Sequence, residues 1–288
     1  MESFSVIIPV FNEEETIYHE LKRLEKLKSE RENCEIILVN DGSTDNTSNI
    51  LNNYNFPKGI KLINHHQNRG YGASLKTGIA ASLYDIVVII DADGTYPTEK
   101  ILELVEELKD ADMVVGARVG SKAKIPLIRR PAKWVMNKLA NYLSEQKIPD
   151  LNSGLRAMRK KVVTKFLKIL PDNFSFTVTI TLAMLTNGYN VKYAPINYFK
   201  RTGKSKIKPI RNTLYFIQLI IRTVLYFRPL KVFIPVSLIL FLSSFGVLFY
   251  SYFFTTKVMD VTTVVLFIGA VQTLAIGMIA DLIDKRMN

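Results

Sequence analysis

Short apolar runs alternate with amphipathic stretches along the first half of the chain. The runs are rich in Val and Ile, which is typical of strands buried on both faces of a sheet. They fall at residues 4–10, 35–40, 60–64, 86–90 and 112–116. Helix-like stretches follow at residues 13–28, 44–53, 71–83, 98–109 and 131–146. This alternation predicts an α/β domain whose mostly parallel central sheet is covered by helices on both faces.

Single residues add detail to this pattern. Asn12 is a predicted helix N-cap, because Glu15 three residues later would complete a capping box. Cys34 is the one cysteine and begins an apolar run, so we expect a buried thiol rather than a disulfide framework. His65 and His66 follow the third strand and are predicted to be surface residues.

Two long uncharged segments occupy the C-terminal part of the chain, at residues 232–254 and 261–280. Each is long enough, as a helix, to cross a hydrocarbon core of about 30 Å. Cations flank the pair on both sides and the short linker is neutral, so the positive-inside rule places both termini in the cytoplasm. We therefore expect a cell-membrane protein with an α/β domain at 1–208, an interfacial amphipathic segment at 209–231 and a two-helix transmembrane hairpin at 232–288.

Charge is divided unevenly along the chain. Residues 1–117 carry 11 Lys/Arg and 20 Asp/Glu, a net charge of −9, whereas residues 118–288 carry 27 and 6, a net charge of +21, which together give +12. The stretch 192–231 holds ten cations and no acid, interleaved with aromatic residues. Such a pattern can bind nucleic acid, but its position before two membrane spans favours anionic lipid headgroups and argues against a nucleic-acid partner.

Two carboxylates, Asp91 and Asp93, follow the apolar run at 86–90 directly. The carboxyl end of a parallel strand is where open α/β sheets bind ligands. Two acids held close together repel one another unless a cation lies between them. A hard divalent cation with oxygen ligands, Mg²⁺ or Mn²⁺, would relieve that repulsion and leave positions for substrate phosphates.

Neither the G-x-G-x-x-G fingerprint nor a Walker lysine motif is present, so a nucleotide would be bound by other means. Six motifs instead occur in a fixed order. They are Pro9-Val10-Phe11-Asn12-Glu13-Glu14, Val39-Asn40-Asp41-Gly42-Ser43, Asn68-Arg69-Gly70, Asp91-Ala92-Asp93-Gly94, Asp150-Leu151-Asn152-Ser153-Gly154-Leu155-Arg156 and Arg201-Thr202-Gly203-Lys204-Ser205-Lys206. Together, over about residues 4–208, they resemble family-2 glycosyltransferases of the GT-A fold, in particular the polyprenyl- and dolichyl-phosphate hexose synthases that carry two C-terminal transmembrane helices.

The resemblance implies a role for each motif. Pro9, Phe11, Glu13 and Asp41 would form the pocket for base and ribose, and Asp91, Ala92 and Asp93 would bind the donor diphosphate with its metal. Arg201 and Lys206 would close over the diphosphate as a lid, and Ser153 and Arg156 would shape the donor sugar site. The acceptor phosphate would lie on Arg118 and on Arg129 or Arg130, with Lys133 nearby, although this basic stretch could instead rest on anionic lipid. The catalytic residues so implied are Asp93, Arg118, Arg130 and Arg201.

A missing residue bears on the acceptor. Many family-2 enzymes carry a Glu-Asp pair at the start of a late helix as general base, but residues 173–179 here hold no carboxylate. A sugar hydroxyl needs such a base, whereas a phosphate monoester is already largely a dianion at pH 7. We therefore expect inverting transfer of a hexose from a nucleotide-diphosphate sugar to a polyprenyl phosphate, dolichyl or undecaprenyl.

Alternatives remain open at this stage. Asp-Ala-Asp-Gly-Thr-Tyr-Pro is more similar to relatives that use UDP-glucose or UDP-N-acetylglucosamine, but GDP-mannose is the competing donor. Thr95 stands where relatives have a glutamine, which leaves a third metal ligand open. A sugar or glycolipid hydroxyl as acceptor, and an inactive scaffold that binds nucleotide sugar, are the remaining hypotheses. A homo-oligomer is also possible.

Overall fold

The computed structural model gives the chain as two compact units, Met1–Ile217 and Gln218–Asn288. The structure describes residues 2–118, 138, 140–142, 144–199, 225, 228–255 and 259–287. The predicted helix at 131–146 and the predicted interfacial segment at 209–231 therefore lie largely outside the described residues.

The first unit alternates strands and helices. Its strands are β1 (Phe4–Val10), β2 (Cys34–Asn40), β3 (Ile60–Asn64), β4 (Ile86–Ile89), β5 (Met113–Arg118), β6 (Arg156–Arg159) and β7 (Val191–Ile196). Its helices are α1 (Ile17–Glu30), α2 (Thr47–Asn52), α3 (Tyr71–Ala81), α4 (Ile101–Glu107), α5 (Lys160–Phe166) and α6 (Phe176–Thr186), with short 3₁₀ turns at Thr98–Lys100 and Leu108–Asp110.

The seven strands form one sheet in the order β3-β2-β1-β4-β6-β5-β7. Strands β1 to β4 pair in parallel, and β5 pairs in parallel with β7. Only β6 runs antiparallel, between β4 and β5, among the described strands. The prediction of a mostly parallel sheet is thus confirmed, and the carboxyl ends of β1, β2, β4 and β5 lie at one edge.

The core of this unit follows from the apolar runs. All residues of β2 and of β4 are buried, because helices cover both faces of the sheet. Cys34 is 1% exposed, which agrees with the prediction of a buried thiol.

The predicted cap at Asn12 is wrong. Helix α1 begins at Ile17, and Asn12 instead has a φ of 51°, a left-handed conformation that Asn tolerates. Its side-chain Oδ1 accepts a 2.7 Å hydrogen bond from the backbone N–H of Thr44. Asn12 therefore joins the loops that follow β1 and β2 rather than starting a helix.

The second unit contains two long helices, α7 (Leu230–Phe254) and α8 (Asp260–Met287). Polar contacts lie between them, because Ser237 Oγ donates to the carbonyl of Ala270 at 2.8 Å and Ser244 Oγ donates to that of Thr263 at 2.9 Å. Large apolar side chains point outward, and Phe249 is 62% exposed. Hydroxyls inside and apolar side chains outside suit a helical hairpin in lipid, and both helices are long and apolar enough to span a membrane.

Candidate active site

A cavity of about 580 Å³ lies at the carboxyl edge of the sheet, in the first unit. That volume is typical of a small-molecule site. Residues from the ends of β1, β2, β4 and β5 meet there, as expected for an open α/β sheet. The residues that the sequence singled out and that line the cavity are Pro9, Phe11, Glu13, Asp41, Asp91, Ala92, Asp93 and Arg118.

Asp41 is held rigidly at the end of β2. Its Oδ1 accepts from the backbone N–H of Arg69 at 2.9 Å, and its Oδ2 accepts from that of Gly70 at 2.8 Å. Nδ1 of His65 also lies 2.7 Å from Oδ1, and Nε2 of the same ring lies 3.0 Å from Thr77 Oγ1. The carboxylate therefore has a fixed orientation at the cavity wall.

The prediction that His65 is a surface residue is wrong. The residue is 8% exposed and both of its ring nitrogens have partners. The reason is that the segment after β3 folds back over the end of β2, where Asp41 binds it. His66, the neighbouring histidine, is exposed as expected.

Asp91 lies close to two residues that are distant from it in sequence. The hydroxyl of Tyr71 donates to its Oδ1 at 2.8 Å. A Cβ atom added at Gly154 would lie 2.3 Å from Oδ2 of Asp91 and 2.7 Å from Oδ1, so a side chain there would require the carboxylate to move. Burial, with the charge and hydrogen bond of Asp91, raises the pKa of Tyr71 well above its ordinary value, and its hydroxyl stays a donor.

Asp93 is oriented by its own turn. Its Oδ1 accepts hydrogen bonds from the backbone N–H of Thr95 at 3.1 Å and from the Thr95 hydroxyl at 2.6 Å. The residue that stands where relatives have glutamine therefore directs the Asp93 carboxylate. No group of three acidic, histidine or cysteine side chains converges anywhere in the described ranges. The two carboxylates are nevertheless a suitable set for Mg²⁺ or Mn²⁺ that takes its other ligands from substrate phosphate and water.

Arg118, the last residue of β5, forms a bidentate ion pair with Asp150. Its Nε and Nη2 lie 2.6 and 2.8 Å from the two carboxylate oxygens, and its guanidinium carbon is 5.2 Å from the centre of the Tyr198 ring. Burial alone would raise the pKa of Asp150, but the hydrogen bonds and charge of Arg118 outweigh it and hold that pKa below its ordinary value. A cation of fixed orientation thus lines the cavity.

Ser153 and Arg156 are not among the residues that line the cavity, and their part in shaping the donor sugar site stays a prediction. Ser153 is fully buried and its hydroxyl donates to the Gly116 carbonyl at 2.5 Å. Arg156 is also fully buried, donating to the carbonyls of Ser153 and Leu151 and to a threonine hydroxyl. Burial lowers its pKa from the ordinary value. The two residues hold the 150–155 segment, whose Gly154 reaches the cavity.

Five predicted residues lie outside the described residues: Arg129, Arg130, Lys133, Arg201 and Lys206. Their roles in binding acceptor phosphate and in closing the site stay predictions.

Sequence reasoning missed several aromatic residues of the site. The cavity is also lined by Tyr71, Tyr96, Phe174 and Tyr198. The hydroxyl of Tyr96 accepts from the Gly154 backbone N–H at 2.7 Å, and the rings of Tyr71 and Phe174 stack with centroids 5.5 Å apart. The available signal was position, because Tyr71 comes directly after one of the six motifs and Tyr96 comes two residues after another.

Two family profiles match the chain. The one described as Glycosyl transferase family 2 matches residues 5–167, which is more than half of the chain. The one described as GtrB C-terminal hairpin matches residues 228–285, where α7 and α8 lie.

Two of the curated relatives are named as sugar transferases. A dolichyl-phosphate hexose transferase of Haloferax volcanii is 27% identical over 72% of this chain and 88% of its own. A prophage bactoprenol glucosyl transferase homolog of Escherichia coli K12 is 33% identical over 60% of this chain and 56% of its own. Among solved structures, glucosyl-3-phosphoglycerate synthase of Mycobacterium tuberculosis superposes with a TM-score of 0.59 at 21% identity, covering 78% of this chain and 79% of that one. That likeness shows the fold.

Proposed function

This chain belongs to glycosyl transferase family 2, and we propose that it transfers a hexose from a nucleotide-diphosphate sugar to a polyprenyl phosphate. The proposal includes inversion at the anomeric carbon, and UDP-glucose or UDP-N-acetylglucosamine is the expected donor. The single observation that carries it is the convergence of Asp91, Asp93 and Arg118 in one cavity of nucleotide-sugar size. The names of the two relatives, one dolichyl-phosphate and one bactoprenol enzyme, support the lipid acceptor.

The donor fits the order of residues along the sheet edge. Pro9, Phe11 and Asp41 come from β1 and β2 and would bind base and ribose, while Asp91 and Asp93 follow β4 on the other side of β1. The diphosphate would lie against these two acids, with the hexose beyond it toward β6 and β5. Mg²⁺ or Mn²⁺ between the acids and the diphosphate would supply charge stabilisation to the departing nucleotide.

The acceptor phosphate would lie near Arg118. Asp150 and Tyr198 fix the guanidinium in the cavity wall, so its remaining N–H groups can orient an anion without large loss of side-chain entropy. Arg129, Arg130 and Lys133 would complete this phosphate site. Because residues 173–179 carry no carboxylate where relatives place a general base, an acceptor that is already ionised is favoured.

The reaction then needs positioning more than proton transfer. An oxygen of the lipid phosphate attacks the anomeric carbon, the bond from that carbon to the diphosphate oxygen breaks, and the diphosphate leaves with the electron pair. The transition state resembles an oxocarbenium ion, as in glycoside hydrolysis. Arg201 and Lys206 would close over the leaving diphosphate and neutralise its charge, together with the acids' bound cation.

The C-terminal hairpin would keep enzyme and lipid in the same membrane. Its two helices, α7 and α8, contain the uncharged segments 232–254 and 261–280, and Lys/Arg flank this pair of segments. We propose that the catalytic domain and both termini face the cytoplasm, following the positive-inside rule. Residues 209–231 would lie in the membrane interface, with their cations near anionic lipid headgroups.

A transfer assay tests the proposal. Full-length protein in nanodiscs is given radiolabelled UDP-glucose, UDP-N-acetylglucosamine or GDP-mannose, with undecaprenyl or dolichyl phosphate and Mn²⁺. We expect metal-dependent formation of a lipid-phosphate-sugar from one of the UDP-sugars. If GDP-mannose is the productive donor instead, the expected donor is wrong and the lipid-phosphate acceptor still holds. Asp93→Asn should lower turnover by at least about 100-fold, because the divalent cation that would stabilise the diphosphate loses a carboxylate ligand. Asp110→Asn changes an acid that is 85% exposed and serves as the matched control. Full activity of the Asp93 variant, or transfer to a sugar hydroxyl alone, would contradict the proposal.

A further inference from the structure

Phe174 is the exposed aromatic residue of the candidate active site. It lines the same cavity as Asp91 and Asp93, and 51% of it is accessible to solvent. A single exposed apolar side chain on a protein surface is ordinary. One that lines a cavity beside two carboxylates, on a fixed backbone, is a different case, and the contacts on either side of Phe174 fix its backbone.

The segment before Phe174 is bound tightly to the start of α3. The carbonyl of Asp172 accepts from the Ala73 N–H at 3.1 Å, and the carboxylate of Asp172 pairs with Lys76 at 2.7 Å. Gly70 has a φ of 101°, and a Cβ there would overlap the Asp172 carbonyl, so the two backbones touch. This close approach leaves the segment little freedom to move.

The segment after Phe174 is fixed as well. Oδ1 of Asn173 accepts from the backbone N–H of Ser175 at 3.1 Å and from its hydroxyl at 2.6 Å. These bonds form the turn that leads into α6, whose first residue is Phe176. Phe174 is thus held between a docked segment and a helix start, and its ring is presented to the cavity in advance of any ligand.

A second ring supports the first. Tyr71 stacks on Phe174 with centroids 5.5 Å apart and planes 18° from parallel. The hydroxyl of Tyr71 donates to Asp91, so the stacked pair has a defined place beside the acid that would bind the donor diphosphate.

We propose that Phe174, supported by Tyr71, is the platform on which the donor hexose rests. A pyranose presents C–H groups on its faces, and these pack on an aromatic ring while the hydroxyls stay hydrogen-bonded at the rim. The ring would hold the sugar next to the diphosphate and shield the anomeric region from water. This inference rests on the proposed function, since it assigns a subsite of the same donor.

Comparison of two ligands isolates the hexose contact. Binding of each nucleotide diphosphate and of its sugar ester is measured by titration calorimetry with Mn²⁺, using the pairs UDP and UDP-glucose, UDP and UDP-N-acetylglucosamine, and GDP and GDP-mannose. In Phe174→Ala we expect the affinity for the sugar ester to fall by about 3- to 10-fold and that for the diphosphate alone to stay within about twofold. Phe174→Tyr should restore the wild-type ratio, and Phe174→Leu should restore less because it lacks a flat face.

The matched control is Tyr18→Ala, which removes an aromatic residue of 55% exposure from α1, away from the cavity lining. Equal losses for diphosphate and sugar ester in Phe174→Ala, or no loss in either, would overturn the assignment. A raised KM for the lipid phosphate with unchanged donor binding would also overturn it, because the ring would then contact the prenyl chain. Wild-type protein that binds none of the sugar esters would instead remove the proposed function, and this assignment with it.

Discussion

Nδ1 of His65 lies 2.7 Å from Oδ1 of Asp41, and this contact joins a buried imidazole to the wall of the candidate nucleotide pocket. The other ring nitrogen contacts Thr77 of α3 at 3.0 Å. The imidazole therefore bridges a helix and the carboxylate that would face the base. It acts on a ligand only through Asp41, which makes it a positioning residue.

The first prediction follows from this bridge. His65→Ala should weaken nucleotide binding by about 10-fold, because Asp41 loses one of the groups that fix its orientation. His66→Ala changes an exposed histidine one position along and should leave binding unchanged. Calorimetry gives the affinity and a thermal melt gives the stability. If His65→Ala lowers only the melting temperature and not the affinity, His65 supports the fold alone.

A pH dependence is expected at the Arg118–Asp150 pair. The pKa of Asp150 is lower in the folded protein than its ordinary value, so the folded state binds its proton more weakly than the unfolded chain does. The pair therefore stabilises the fold above the unfolded pKa, near 4, and this contribution disappears as the pH falls through the lower native pKa.

The measurement compares wild type with Asp150→Asn in detergent. At pH 7 the variant should be less stable by about 3 kcal/mol, because Arg118 is left partly buried without its anion. The difference in unfolding free energy should shrink steadily between about pH 5 and pH 2. A difference that stays constant over this range would show that Asp150 does not titrate in the pair.

Cys34 provides a test of the core. Burial raises the pKa of this thiol to about 12, and the residue is 1% exposed. At pH 8 only about one thiol in ten thousand would then be ionised, and the thiolate is the reactive form. The native protein should not react with a thiol-specific disulfide reagent within an hour. The protein unfolded in guanidinium should react at one thiol per chain. Rapid reaction of the native protein would contradict the buried position.

The positions of β1 to β5 were predictable because a short apolar run marks each of them, whereas β6 and β7 were not predicted. The runs at 4–10 and 60–64 coincide with β1 and β3, and Asp91 and Asp93 were found because they follow such a run. The local sequence is enough to predict a residue's position when that position depends only on the strand next to it. The ends of the helices were less predictable. Asn12 was predicted to cap a helix, but it accepts a hydrogen bond from Thr44, which is distant in sequence and which no nearby residue indicates.

Contacts between distant segments were beyond the reach of the sequence. Tyr71 and Phe174 are about a hundred positions apart, and only the fold stacks them. His65 looked exposed because a residue after a strand is usually in a loop, and nothing local shows that the loop folds back over Asp41. The sequence also could not show which residues of the 150–156 motif reach the cavity. The neighbouring Gly154 lines it, whereas Ser153 is buried behind it.

Gly154 packs closely against the Asp91 carboxylate. A methyl group at Gly154 would overlap the Asp91 carboxylate, whose Oδ1 accepts the hydrogen bond from Tyr71. Gly154→Ala should therefore displace this carboxylate from its place in the cavity. We expect transfer activity to fall by about 100-fold or more, and the Mn²⁺ concentration for half-maximal activity to rise.

The control for Gly154→Ala is Gly246→Ala in α7, where an added Cβ meets no atom within 4 Å. It should leave activity and stability unchanged, since alanine is the better helix former. A second variant separates the two contacts on Asp91, because Tyr71→Phe removes the hydrogen bond and keeps the ring. Gly154→Ala combined with Tyr71→Phe should recover part of the lost activity, since Asp91 is then free to shift away from the methyl group. If Gly154→Ala alone keeps wild-type activity, the Asp91 carboxylate can accommodate the methyl group without loss of function, and the prediction is wrong.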